Sequence, residues 1–185
     1  LGYSSTIQKT VSINYTPVSN FTYSNVCFGS TTNFSNTSTV GGGGSMSYVW
    51  DLGNGNNSIS TNPTATYVSS GNYTVKLTTT SNGCSTTVSK IVYVFPVPDA
   101  DFSGGLACSG LTMPFSNGST IASGNLGYKW NFGDGSVMNT DKQPNHQYDN
   151  SGTYTVRLIA YSEFGCIDSV SKTITVSAKP VAGFT

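Results

Sequence analysis

The run Tyr48-Val-Trp50-Asp-Leu-Gly53-Asn-Gly55 returns as Tyr128-Lys-Trp130-Asn-Phe-Gly133-Asp-Gly135, 80 positions on. Around it Phe21 maps to Phe102, Cys27 to Cys108, Phe34 to Phe115, Tyr67 to Tyr148, Gly71 to Gly152 and Tyr73 to Tyr154, each 81 positions later, and Gly83-Cys84 maps to Gly165-Cys166 after 82. A chain with this period folds as consecutive copies of one unit. The repetition also overruns both ends. Lys9-Thr-Val-Ser-Ile13 reads like Lys90-Ile-Val-Tyr-Val94 and Lys172-Thr-Ile-Thr-Val176, and Pro180-Val-Ala-Gly-Phe184 reads like Pro98-Asp-Ala-Asp-Phe102. The expected organisation is the end of a preceding copy (1–16), two whole copies (17–97 and 98–179) and the start of another (180–185), a window on a longer array.

Within each copy apolar residues alternate, as in Tyr73-Thr-Val75-Lys-Leu77 and Tyr154-Thr-Val156-Arg-Leu158. That is the period of a strand with one buried face. The stretches 88–94 and 170–176 are rich in β-branched residues and alternate too. Turn residues punctuate these runs at Gly41-Gly-Gly-Gly44, Gly53-Asn-Gly55 and Asn82-Gly83, and at Asp134-Gly135, Ser151-Gly152 and Phe164-Gly165. Many short strands with regular turns predict an all-β, two-sheet sandwich per copy.

Only 9% of residues are charged and the formal net charge is zero, while Ser, Thr, Asn and 21 glycines carry the polarity. Nucleic acid and anionic membrane both require a Lys/Arg surplus, so neither is expected as a partner. No apolar run of about 18 residues occurs, so no membrane insertion is expected within this segment.

The cysteines occupy an early phase (Cys27, Cys108) and a late phase (Cys84, Cys166) in each copy. Repetition favours the pairing that every copy can make alone, Cys27 with Cys84 and Cys108 with Cys166. Loops of 84 − 27 = 57 and 166 − 108 = 58 residues would each stabilise a copy by about 4 kcal/mol. Such bonds imply an oxidising, extracellular location. Four buried free thiols are the alternative.

Trp130-Asn-Phe-Gly-Asp-Gly135, Pro144-Asn-His146-Gln-Tyr148 and Ser151-Gly152-Thr-Tyr154-Thr-Val156 occur in that order, and the first copy carries the same frame with Asn54 for the aspartate and Ala65 for the histidine. This frame resembles the PKD (polycystic kidney disease) domain. The resemblance implies tandem immunoglobulin-like, seven-stranded β-sandwiches used extracellularly in stalks, adhesins and accessory regions of secreted enzymes. The late Gly-Cys element is similar to PKD repeats of long Bacteroidota surface proteins, gliding-motility adhesins among them.

Catalytic chemistry is not expected. The sole histidine, His146, becomes Ala65 in the other copy, and no Ser/His/Asp or Cys/His set can be built twice. No cofactor is expected, and the cysteines lack the short Cys-x-x-Cys spacing of zinc ligands. For calcium, which takes six to eight oxygens, Asp99 and Asp101 between the copies are the best candidates. Asp134, Asp141 and Asp149 become Asn54, Ser60 and Val68 and so define no common site. Asn-x-Ser/Thr triplets recur, those at Asn20, Asn33, Asn36, Asn56, Asn72 and Asn117 among them, as chance explains in so Asn-rich a chain. Asp168-Ser169-Val170 resembles the Bacteroidota O-glycosylation acceptor, which singles out Ser169.

Ile91, Tyr93 and Phe95 form an apolar row on the last strand of the first copy, where the second copy has Thr173, Thr175 and Ser177. Such a row either docks a neighbouring repeat or filament or packs against its own linker, Pro96-Val-Pro98. The leading expectation for the whole segment is a non-catalytic, stiff extracellular spacer or stalk of a surface adhesin or filament, whose partners are neighbouring repeats. One alternative is an accessory module of a secreted enzyme that binds surface glycans or other proteins through Tyr15, Tyr23, Tyr93 and Tyr161. Another is a filament subunit that assembles by strand addition through residues 1–16.

Overall fold

The computed structural model describes residues 2–11, 13–180 and 183, the side chain of Ala107 excepted. The chain forms two compact units, Leu1–Val94 and Phe95–Thr185. Apart from a 3-10 turn at Gly41–Gly43, every regular element among the described residues is a strand.

The first unit holds β1 (Phe21–Tyr23), β2 (Val26–Cys27), β3 (Thr32–Asn36), β4 (Ser47–Asp51), β5 (Asn57–Ser58), β6 (Thr64–Ala65), β7 (Gly71–Ser81) and β8 (Cys84–Phe95), whose last residue passes into the second unit. Its sheets are β1-β3-β6 and β2-β8-β7-β4-β5. The second unit holds β9 (Phe102–Gly104), β10 (Ala107–Cys108), β11 (Thr112–Asn117), β12 (Leu126–Asn131), β13 (Asn145–Gln147), β14 (Gly152–Ser162) and β15 (Ile167–Ser177). Its sheets are β9-β11-β13 and β10-β15-β14-β12. The place of β5 is taken there by an isolated bridge between Trp130 and Asn139. Both units are thus the two-sheet sandwiches that the alternating pattern predicts.

Each sandwich closes on the inward residues of its long hairpin. In β7–β8, paired from Gly71↔Val94 to Ser81↔Cys84, Val75, Leu77, Val92 and Val94 are buried while Thr74, Lys76 and Ile91 face out. Trp50 and Trp130 sit at the centre with no exposed surface, opposite Leu77 and Leu158 across the strand pair. Phe21 meets Trp50 edge-on at 5.0 Å and Phe102 meets Trp130 edge-on at 5.2 Å. Each buried aromatic contributes roughly 2–3 kcal/mol through desolvation alone, and the edge-on geometry adds about 1 kcal/mol.

The chain divides into its two compact units after Val94. The segment leading into the second sandwich packs on that sandwich. Phe95 stacks on Phe164 with ring centroids 4.1 Å apart, and Pro96 and Pro98 are buried. The same relation holds one period earlier, where Asn14 Nδ2 donates to the Asn82 carbonyl at 3.0 Å. Among the described residues of 2–16 there is no strand. The expected fragment at 180–185 lies outside the described residues apart from Pro180 and Gly183.

Candidate functional site

The doubled Trp motif folds into a turn that needs its glycine and its Asx residues. Gly53 and Gly133 have φ of 75° and 81°, and a Cβ on either would come within 2.6 or 2.5 Å of the Thr74 or Thr155 carbonyl oxygen. Only glycine satisfies both the left-handed backbone and that close approach. The Gly53 N–H donates to Asp51 Oδ1 at 3.0 Å and the Gly133 N–H to Asn131 Oδ1 at 2.9 Å. An Asx turn uses only a side-chain oxygen, so Asp and Asn interchange here.

The next Asx residue closes a second turn and then reaches across to a neighbouring segment. In the first unit Asn54 Oδ1 accepts from the Asn56 N–H, and Asn54 Nδ2 donates to the Thr66 carbonyl at 2.9 Å. In the second, Asp134 Oδ1 accepts from the Ser136 N–H, and Asp134 Oδ2 lies 2.6 Å from His146 Nε2. The imidazole stacks on Phe132 at 3.9 Å with a 6° interplanar angle and abuts Tyr148 edge-on. Burial acts to raise the pKa of Asp134, but hydrogen bonding from Ser136 and His146 and the charge of His146 outweigh it and bring the carboxyl down to about 2. Each unit also anchors a buried tyrosine beneath this turn. Tyr67 donates to the Leu52 carbonyl and Tyr148 to the Phe132 carbonyl, both at 3.1 Å. Desolvation, then the neighbouring Tyr73, pushes Tyr67 up to about 12; desolvation, then the charge of Asp134, raises Tyr148 as well.

The inter-repeat aspartates have structural partners. Lys172 donates to Asp101 Oδ1 at 2.6 Å and to the Phe102 carbonyl, with its ammonium 5.2 Å from the Phe102 ring centroid. The hydrogen bond and charge of Lys172 hold the Asp101 carboxyl below its usual range. Lys90 repeats this arrangement with Asn20 Oδ1, the Phe21 carbonyl and the Phe21 ring. Asp99 bridges Thr120 through the backbone. Among the described residues no three His, Cys, Asp or Glu side chains gather as a metal site. The lysine clamp was not foreseen, although its signal was present: Lys90 and Lys172 recur 82 positions apart, each with an Asx-Phe pair to match.

The cysteines depart from the pairing inside each copy. Cys27 and Cys166 are disulfide-bonded, whereas Cys84 and Cys108 are free thiols. Register explains why neither in-copy bond forms. Cys108 lies opposite Ser177 at the end of β15, and Cys166 precedes the start of that strand. The offset of 177 − 166 = 11 residues is about 35 Å of extended chain, against the ~7 Å Cα separation that a disulfide tolerates. In the first unit Cys84 begins β8, while β2 flanks that strand near its other end, where Asn25 Oδ1 accepts from the Tyr93 N–H.

Of the four aromatics considered for glycan binding, Tyr15, Tyr23 and Tyr93 belong to the first unit and Tyr161 to the second. The Tyr15 ring covers Gly41 and Gly42, in a 220 Å³ depression that Asn82 also lines. Tyr23 donates to the Ile91 carbonyl, and Tyr93 points outward nine residues along β8 from Cys84, about 30 Å away. In the second unit Tyr161 lies flat against Gly127, which has no Cβ to obstruct it, and borders a shallow 840 Å³ groove with Thr120, Asn125 and Lys142. Ile91 and Tyr93 are exposed on the outer face of β8, while Phe95 is half-buried on Phe164. Ser169 is exposed on β15, and its Oγ accepts from Arg157 at 3.1 Å.

The PKD domain family model matches this chain twice, over residues 14–95 and 93–178. The chain belongs to the PKD domain family. The PKD1 domain of Vibrio anguillarum Epp is similar over 45% of this chain and 96% of its own, with 30% identity and a TM-score of 0.41. The PKD1 domain of the Vibrio cholerae metalloprotease PrtV is similar over 45% of this chain and 99% of its own, with 32% identity and a TM-score of 0.39. At the level of fold, the chain also resembles the N-terminal eight Ig domains of Down Syndrome Cell Adhesion Molecule, at 13% identity over 90% of this chain and 25% of that one, with a TM-score of 0.54. PKD domains are typically extracellular, non-catalytic modules of surface or secreted proteins, and the disulfide fits that setting. Among the described residues no helix is long and apolar enough to cross a membrane.

Proposed function

We propose that this tandem serves as a stiff extracellular spacer, a length of stalk in a surface adhesin or filament. The observation that carries this reading is which interactions recur. The Trp–Phe core, the glycine turns, the tyrosine anchors and the lysine clamps occur in both units, and each of them holds a sandwich together. Groups with chemical potential of their own, such as Asp134 and His146, occur in one unit only. The lead-in segments support the same reading. Asn14 is tied to Asn82 and Ser19 to Thr86 in the first unit, and Phe95 to Phe164 and Ala100 to Asp168 in the second. Residues that would otherwise act as free hinges are thereby fixed to a sandwich.

The likeness of the late Gly-Cys element to Bacteroidota surface repeats supports an adhesin, gliding-motility adhesins included, and exposed Ser169 is the hydroxyl such a protein would glycosylate. The groove beside Tyr161 favours a second reading, a glycan-binding accessory module. It joins a flat aromatic ring to amide, hydroxyl and ammonium groups in one unit. Small-angle scattering on chains of two, three and four repeats tests the spacer. Maximum dimension is expected to rise in proportion to repeat number. Growth with its square root, as for a flexible string, would sink the idea.

A further inference from the structure

Three Asn-Gly dipeptides occur in this chain, Asn54-Gly55, Asn82-Gly83 and Asn117-Gly118. All three carry the same latent reaction. The glycine main-chain nitrogen can attack the side-chain carbonyl carbon of the preceding asparagine, since glycine has no Cβ to obstruct the approach. By sequence the three are equal, but by structure they are not.

Two of them are held out of reaction. Asn54 Oδ1 accepts from the Asn56 N–H at 3.1 Å and Asn54 Nδ2 donates to the Thr66 carbonyl at 2.9 Å, so neither end of that amide is free to turn. Asn117 Oδ1 accepts from the Ser119 N–H at 2.8 Å, and its Nδ2 is buried. The attacking nitrogen is engaged there too, because the Gly118 N–H donates to the Asp101 carbonyl at 2.8 Å. Two hydrogen bonds that must break before attack slow it roughly 30-fold.

Asn82-Gly83 has none of these restraints. The two residues form the turn between β7 and β8, beyond the last pair Ser81↔Cys84, and both are exposed. Neither the Asn82 side chain nor the Gly83 N–H has a hydrogen-bond partner among the described residues. Asn82 has a φ of 47°, the only positive φ outside glycine among the described residues, in a region that asparagine tolerates. Its main-chain carbonyl is occupied, accepting from Asn14 Nδ2 at 3.0 Å and so fixing the lead-in segment to the turn. The second unit has Phe164-Gly165 at this phase, which confines the reaction to the first.

We infer that Asn82 is a site of spontaneous deamidation and that isoaspartate formed there uncouples Asn14 from the turn. The Gly83 nitrogen bonds to Asn82 Cγ and gives up its proton, the Cγ–Nδ2 bond breaks, and ammonia leaves. Water then opens the five-membered imide at one of its two carbonyls. Opening at the main-chain carbonyl reroutes the chain through the side chain, which yields isoaspartate with an added methylene in the backbone. A two-residue hairpin turn has a fixed geometry that the extra atom disrupts. The acceptor of Asn14 becomes a free carboxylate, no longer held in place by the chain. The reaction consumes only water and runs one way, so it acts as a timer on the tether of the lead-in segment.

The purified chain, kept in warm, mildly alkaline buffer, is sampled over weeks by peptide mapping with mass spectrometry that separates aspartate from isoaspartate. Asn82 is expected to react at least roughly tenfold faster than Asn54 and Asn117. In concentrated urea the three rates should converge. An Asn82 no faster than the others in the folded chain, or faster by the same factor in urea, would overturn the assignment of the site. For the consequence, the side-chain amide signals of Asn14 are followed by NMR. They are expected to move in the isoaspartate product and to stay in place in Asn82→Asp, which carries the carboxylate without the added methylene. Signals that stay in place in isoaspartate, or move as far in Asn82→Asp, would overturn the uncoupling.

Discussion

The first unit ties its Trp turn to the neighbouring segment with an amide, Asn54 to the Thr66 carbonyl, and the second does so with a carboxylate–imidazole hydrogen bond, Asp134 to His146. Both sit on the same Asx turn above the same buried tyrosine. The fold thus requires a cross-link at this place without requiring a particular chemistry for it. A carboxylate–imidazole pair that a neutral amide replaces one period away is a brace. At this turn the units differ in that the brace of the second contains a titratable carboxylate.

The largest effect should come from the element the units share most fully. Trp50→Ala and Trp130→Ala each remove a fully buried ring and are expected to cost about 4 kcal/mol. Hydrogen–deuterium exchange resolved by unit should show protection lost in the mutated sandwich and retained in the other. Loss in both units would break the description of two separate cores. Next come Gly53→Ala and Gly133→Ala, expected to cost about 2–3 kcal/mol each from backbone strain and the carbonyl approach. Equal losses in urea unfolding would confirm that the turn is the same in both units, and a tolerated alanine in either would separate them.

The smallest effect separates the units most sharply. Since Asp134 is held near pH 2 when folded and near 4 when unfolded, its contribution is complete above about pH 4 and is lost as pH falls toward 2. The second unit should lose on the order of 1 kcal/mol across that window once solvent screening is allowed for. The first unit, with Asn54, should not show this step. Asp134→Asn should shrink the step to what the Lys172-paired Asp101 leaves, and an undiminished step in that variant, followed by unit-resolved exchange, would assign the titration to Asp101 and not to Asp134.

Much of the sandwich was legible in sequence because alternation and turn residues are local. Val75, Leu77, Val156 and Leu158 announce an inward face in their own neighbourhood. The lysine clamps and the Asp134–His146 pair are less legible, since their partners lie 12 to 71 residues apart and meet only through sheet register. The stacking of Phe95 on Phe164, 69 residues on, is of the same kind. Period fixes the length of a repeat but not which sandwich its linker packs on.

By itself the sequence determined that the chain is two copies of one all-β unit, because hydrophobic period and turn chemistry act over a few residues and recur with the repeat. Tertiary structure alone decided the cysteines. Equal spacing in the two copies made Cys27–Cys84 and Cys108–Cys166 look like natural pairs, yet an extended strand puts residues that are near in phase at opposite ends of the sandwich. Distance along a strand, which composition and repetition do not encode, separates these thiols.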